Sequence, residues 1–222
     1  DSSTSRGLGD VYKRQTLSYA GRVERLKEQP IPLRVGGFGG VCGLAQYLRD
    51  HKITHVVDAT HPFAAQMSKN AVVACRQTAT QLLALTRPPW RRGAGDDWQH
   101  ACDIAAAVTA LSGPEKRVML AIGRMHLAQF NRSPHHWYLL RLVDPPDVPP
   151  PLPHHHIIIS RGPFTVAADA ALLQDHDIDL VVAKNAGGSG AQAKILAARQ
   201  LGLPVLMIDR PVLPPRDEVG SV

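Results

Sequence analysis

Three stretches of this sequence carry residue types that could do chemistry. Asp58-Ala59-Thr60-His61-Pro62 follows the apolar pair Val56-Val57. The run KNAGGSGAQAK, Lys184 to Lys194, follows Leu180–Ala183, and Gly36-Gly37-Phe38-Gly39-Gly40 follows Leu33–Val35. Glycines let a backbone approach a ligand closely, and a helix beginning directly after them offers unpaired N–H groups to an anion. The lysines at both ends of the second run add positive charge. It lacks the spacing of a Walker A loop, and the first glycine run lacks that of the dinucleotide fingerprint. Arg124, Arg161 and Lys184 each end an apolar run, so together they form a rim suited to a polyanion through charge-assisted hydrogen bonds. His61 has two open readings: a general acid or anion contact, or a structural residue fixing the loop between Thr60 and Pro62. Asp58 is expected to cap the backbone that follows it. His135-His136 and His154-His155-His156 suggest a metal at first sight. Adjacent histidines on an extended segment point to opposite sides, and no Cys or carboxylate partner has ligand spacing, so no metal site is expected.

These residues need elements to position them. From His55 to Trp90 the pattern is strand, polar loop, helix, strand. Phe63, Met67, Ala71, Ala74 and Cys75 recur at the spacing of one helix face, and Leu82–Leu85 is a second apolar run ended by Pro88-Pro89. That is a right-handed βαβ crossover, and ligands gather past the carboxyl ends of such strands, where Asp58–Pro62 lies. Leu33–Val35 and Val41–Asp50 form a further strand and helix, preceded by a strand tail within Thr16–Arg22. Arg91–Asp97 is read as a junction. Beyond it come a helix at Ile104–Leu111, a strand at Val118–Ile122, a helix from near Met125 and a strand at Trp137–Val143. Residues 144–153 hold six prolines in ten positions and form a stiff connector. Ile157–Ile159, a helix over Phe164–His176, Leu180–Ala183, a helix to Leu201 and Pro204–Ile208 complete the alternation. The reading is α/β: two Rossmann-like domains with parallel sheets and a cleft between them. Residues 1–15 form a disordered or extraneous lead, 16–94 the first domain and 95–222 the second. A first domain starting at Thr16 lacks an initial strand and phosphate loop.

Composition narrows the partners. The 222 residues carry 25 Lys and Arg against 19 Asp and Glu, a net charge of +6. The cations are scattered and aromatics are only 5%, which argues against nucleic acid and for a phosphate- or carboxylate-bearing small molecule. No apolar run approaches a membrane span. Three cysteines, Cys42, Cys75 and Cys102, are far apart and odd in number. Cys75 is expected as a buried thiol in a reducing cytoplasm, and the protein as a monomer.

In this order, the blocks AGRV, RVGGFGG, VVDATHPFAAQMSKNA, LLALTRPPW, SRGPF and VVAKNAGGSGA closely resemble the precorrin-6A reductase family of cobalamin biosynthesis, over about residues 16–216. The resemblance implies an NADPH-dependent reductase acting on a tetrapyrrole, precorrin-6A or its cobalt form. Both ligands are polyanions, and hydride chemistry asks the protein to orient rather than to attack. Carried over, Arg22 would meet the ribose 2′-phosphate, and Gly36, Gly37 and Gly39 would approach the cofactor or the macrocycle. Thr60, His61 and Pro62 would border the nicotinamide. Lys184, Asn185, Gly187, Gly188 and Lys194 would meet macrocycle carboxylates. The family's Gly-Gly-Thr-x-Glu-type loop has no counterpart in residues 1–15, which implies weak NADPH binding, and a final helix after Val222 is also expected. Two other readings stand: a non-catalytic tetrapyrrole- or nucleotide-binding protein, and another α/β enzyme acting on a phosphorylated small molecule.

Overall fold

The structure, a computed structural model, describes residues 14–20 and 30–221. Arg22 and most of the lead lie outside them. Every strand pairing is parallel. A short pair joins β1 (Leu17–Tyr19) to β2 (Leu33–Val35). A three-stranded sheet joins β3 (His55–Asp58) and β4 (Gln81–Leu85), with helices α1 (Gly40–Asp50) and α2 (Ala65–Thr78) packed on one face. Alternation decides which side chains go inward. Val56 and Leu82 face the helices, joining Leu44, Ala45, Leu48, Ala71, Ala74 and Cys75, while Val57 and Leu83 point away and stay exposed. Cys75 is a buried free thiol; Cys42 and Cys102 are exposed and free.

The second sheet is larger. Its order is β5 (Trp98–Ala101), β10 (Val205–Ile208), β9 (Leu180–Lys184), β6 (Arg117–Ala121), β7 (Trp137–Leu142) and β8 (His155–Ile159). Helix α3 (Ile104–Ala110) and a 3₁₀ helix at Arg124–Arg132 cover one face, building a core from Val118, Leu120, Tyr138, Leu140, Val182 and Phe130. Helices α4 (Val166–Asp175) and α5 (Ala193–Leu201) cover the other, over Met119, Leu139, Val181, Ala183 and Met207. Successive residues of β6 therefore serve opposite cores, the mark of a parallel sheet buried on both sides. Strand order reverses between β6 and β9, which brings the residues after Ala121 and Lys184 together at a switch point.

Two elements depart from the sequence reading. β5 directly follows the junction, in a stretch assigned to no element, because its middle residues Gln99 and His100 are polar and exposed. The last strand, β11 (Asp217–Val219), lies within the stretch assigned to the second domain, yet it pairs with β4 in the first sheet. The chain therefore crosses between the sheets twice, outward through Thr86–Trp90 and back through Asp209–Arg216. Among the described residues no helix is long and apolar enough to cross a membrane.

Candidate functional site

The loop after β3 is built around a buried carboxylate. Asp58 accepts hydrogen bonds from the Thr60 backbone N–H at 3.1 Å, the Thr60 hydroxyl at 2.6 Å, the Ser68 hydroxyl at 2.6 Å and Arg216 Nη1 at 2.6 Å. Burial pushes its pKa up, but the bonds from Ser68 and Thr60 and the Arg216 charge outweigh that and hold it below the ordinary value. The loop then turns through His61, whose Nδ1 accepts from the Phe63 N–H at 3.2 Å and whose carbonyl accepts from the Ala64 N–H at 2.7 Å. That assigns the proton of a neutral His61 to Nε2, leaving it as a donor. Although its ring reaches solvent, desolvation by the surrounding protein and the charges of Arg87, Lys184, Arg210 and Lys194 press its pKa down to about 4. A cationic His61 is thus disfavoured at neutral pH. Its pKa argues against a general acid and for a polar, uncharged contact.

Opposite it stands the loop after β9. Lys184 Nζ lies 5.3 Å from the Phe63 ring centroid, so the two loops meet. The Asn185 side chain clasps Trp90, accepting from its N–H at 2.8 Å and donating to its carbonyl at 3.0 Å. Trp90 Nε1 donates to the Gly188 carbonyl at 2.7 Å. Gly187 and Gly188 both have left-handed φ, at 68° and 69°. A Cβ on Gly187 would strike the Pro88 carbonyl, and one on Gly188 would come within 2.7 Å of Arg87 Cδ. Lys194 is buried, donates to the Ala191 carbonyl at 2.5 Å and lies 5.2 Å from the Trp90 ring centroid. Burial lowers its pKa to about 8, and Arg141 adds to the effect. So Asn185, Gly187, Gly188 and Lys194 are engaged with the outward crossover, while Lys184 stands at the cleft beside Phe63.

Two arginines that the sequence reading passed over complete the site. Arg210 donates from Nε to the Asn185 carbonyl at 2.9 Å and from Nη2 to that of Ala186 at 3.1 Å. Arg216, as buried as Asp58, also donates from Nε to Glu218 at 2.9 Å. Between Pro62 of the first loop and the return crossover lies a cavity of about 330 Å³, lined also by Thr86, Arg210, Pro211, Pro215 and Arg216, among others. Arg210 follows the apolar run Pro204–Ile208 as Arg124 follows Val118–Ile122, so the same signal could have found it, whereas Arg216 stands beside no apolar run or glycine motif.

The remaining predicted residues are more distant. Arg161 pairs with Asp144, and Arg124 lies 4.0 Å from Asp147. The rim after β6, β7 and β8 thus mixes acids with cations. Gly36 and Gly39, at φ 114° and 77°, follow β2. Gly37 has no such backbone demand, and a Cβ there would meet nothing within 4 Å. Close approach by a ligand is a reason for glycine at that position that the surrounding protein does not supply. Among the histidines, His136 is buried between the Lys116 N–H and the Leu111 carbonyl, and His155 bonds the Leu152 carbonyl. No group of metal-binding residues occurs among the described residues.

Fold and site define a class: an α/β protein with a cation-lined cleft between the carboxyl ends of two parallel sheets. Comparison with known proteins gives the particular family. Residues 5–222 match the model of precorrin-6x reductase CbiJ/CobK. The chain is 56% identical over 216 residues to a precorrin-6A reductase of Rhodobacter capsulatus, covering 97% of this chain and 86% of that one. It is 46% identical over 201 residues to a precorrin-6A reductase of Sinorhizobium, covering 90% and 77%. A solved structure titled CobK precorrin-6A reductase superposes with a TM-score of 0.89 at 57% identity, covering 93% of this chain and 82% of that one. The chain belongs to the precorrin-6x reductase family, and the match begins ahead of Thr16, where the sequence reading placed its start.

Proposed function

We propose that the protein reduces a double bond of the precorrin-6A macrocycle in cobalamin biosynthesis, with NADPH as the reductant. The observation that carries this reading is the cleft itself. The loop bearing a neutral, donor-bearing His61 meets Lys184 at Phe63, within the field of Arg87 and Arg210, in a chain of this family. The residues suit the cofactor: cations for its phosphates, and at Gly37 an open glycine for close approach. When bound, NADPH supplies a hydride to one carbon of the double bond, and a proton completes the addition at the other, giving the dihydro product and NADP⁺. The protein's own part is to orient both ligands.

Within this reading Gly36, Gly37 and Gly39 admit the cofactor, while Thr60, His61 and Pro62 border the nicotinamide. Arg22 meets the 2′-phosphate. Lys184, with Arg124 and Arg161 on the rim, draws the carboxylates of the macrocycle. Asn185, Gly187, Gly188 and Lys194 shape that surface from beneath. Residues 16–94 would then form the nucleotide domain, joined by β11 from the end of the chain, and the part of 95–222 ahead of β11 the substrate domain. Three free thiols suit the reducing cytoplasm, and a cleft built from one chain suits a monomer, which sedimentation would check.

The test is anaerobic incubation with precorrin-6A and NADPH. The expected result is one NADPH oxidised per macrocycle and a product heavier by two hydrogens. Tight binding of either ligand without turnover would instead favour the non-catalytic reading.

A further inference from the structure

The return crossover, Asp209–Arg216, has an arginine near each end. Arg210 fastens the loop after β9 through two backbone carbonyls. Arg216 fastens the loop after β3 through Asp58, a partner 158 residues away in sequence. Between them lie Pro211, Val212, Leu213, Pro214 and Pro215. Three prolines in five residues make this a semi-rigid spacer rather than a slack linker. The pairing of β11 with β4 already anchors the backbone beyond it. A buried guanidinium is not needed for that anchoring, and burying a charge is costly unless it is paired.

Asp58 carries the hold onward. Its Oδ1 fixes the Thr60 amide and hydroxyl, and its Oδ2 takes Ser68 and Arg216. His61 is the next residue, set by its own bonds to Phe63 and Ala64. The position of the His61 ring therefore depends on a carboxylate whose cationic partner among the described residues comes from the return crossover.

We propose that this crossover is a positioning tie: Arg216 sets the loop bearing His61, Arg210 sets the loop bearing Lys184, and the proline spacer fixes the distance between them. Neither arginine is a catalytic residue here; each acts through the loop it holds. The kinetic part rests on the reductase reading, whereas the structural part does not.

The test compares the native protein with Arg216→Gln, Arg210→Gln, Asp58→Asn and the double variant Asp58→Asn/Arg216→Gln. Hydrogen exchange and turnover of precorrin-6A are read in each. Arg216→Gln is expected to speed amide exchange over Thr60–Ala64 while Asn185–Gly188 stay protected, and Arg210→Gln to do the reverse. Misplacement of this kind is expected to lower kcat by about 100-fold. Added guanidinium ion should restore part of the loss in the Arg216 variant, which a general folding defect would not allow. The double variant should lose no more activity than the worse single one. Unchanged exchange in both loops together with native kcat would overturn the proposal, as would exchange raised uniformly across the chain. Should Arg216→Gln fail to fold, Pro214→Gly/Pro215→Gly carries the test, since it keeps both anchors and loosens only the spacer. That variant must speed exchange in the two loops and lower kcat; native behaviour would sink the idea. If the native protein fails to turn over precorrin-6A, the reductase reading falls, and the exchange data alone decide the tie.

Discussion

The two sheets solve the same problem differently. The second buries both faces, so Met119, Leu139 and Val181 lie under α4 and α5 while Val118, Leu120 and Tyr138 lie under α3 and the 3₁₀ helix. The first buries one face among the described residues and leaves Val57, 62% exposed, on the other. Its loops differ accordingly. The loop after β9 is held by close packing, by hydrogen bonds to Trp90 and by Arg210 on two backbone carbonyls, whereas the loop after β3 is held by a buried ion pair between Asp58 and Arg216. A well-covered sheet can position a site by shape. A thinly covered one relies on a buried charge pair, and borrows a strand from the end of the chain.

The sharpest way to break this contrast is at the shared anchor. Trp90→Ala removes a large buried side chain from the second core, and a loss of about 3–5 kcal/mol is expected. Urea denaturation should also show the halves melting separately in this variant; a single native-like transition would mean that the crossover does not couple them. Next, Met119→Ala and Val57→Ala truncate β residues in the two sheets. About 2–5 kcal/mol is expected for the first and no more than about 0.5 for the second. Equal losses would show that the outer face of the first sheet is as covered as the second.

A smaller effect lies in pH dependence. His61 has a folded pKa of about 4, below its ordinary 6.5, so the unfolded chain binds more protons between those values. Stability is therefore expected to fall as pH drops through that window, and His61→Gln should remove its share of the slope. His136, lowered mainly by burial, should keep a slope of the same sign in that variant. Asp58 acts in a separate window: its pKa is depressed, so its contribution is lost only as pH falls below the usual 3.8. Denaturation midpoints across the acid range separate the two. The smallest stability change is expected for Gly37→Ala, whose added methyl meets open space, yet NADPH affinity should drop. Calorimetric titration with NADPH reads that directly, and unchanged affinity would remove Gly37 from the cofactor's path.

Much of the fold was legible because buried parallel strands write themselves as apolar runs: Val118–Ile122, Leu180–Ala183 and Pro204–Ile208 needed little else. The two strands that escaped, β5 and β11, are edge strands. Asp217, Glu218 and Val219 are all exposed, so strand formation there depends on backbone pairing with β4 and leaves no pattern in the side chains. The site divides likewise. Asp58, His61 and Lys184 sit in motifs directly after strands, where chain order alone points to them. Arg87 and Arg210 each follow an apolar run and could have been picked out as Arg124 was, whereas Arg216 follows none, and the double crossover is what brings Arg210 and Arg216 to one cavity. The glycines of the KNAGG run were legible as a close approach, but the neighbour approached is the Arg87-Pro88 segment of the same chain.

The central claim is that the cleft between the sheets carries hydride transfer to the macrocycle. The most direct measurement uses NADPH deuterated at the nicotinamide C4 position, with precorrin-6A, under anaerobic single turnover. The expected result is deuterium bound to carbon in the reduced macrocycle, appearing at the rate of NADPH oxidation and greatly slowed in Lys184→Gln. Reduced product without the label, or labelled product formed equally fast by that variant, would contradict it.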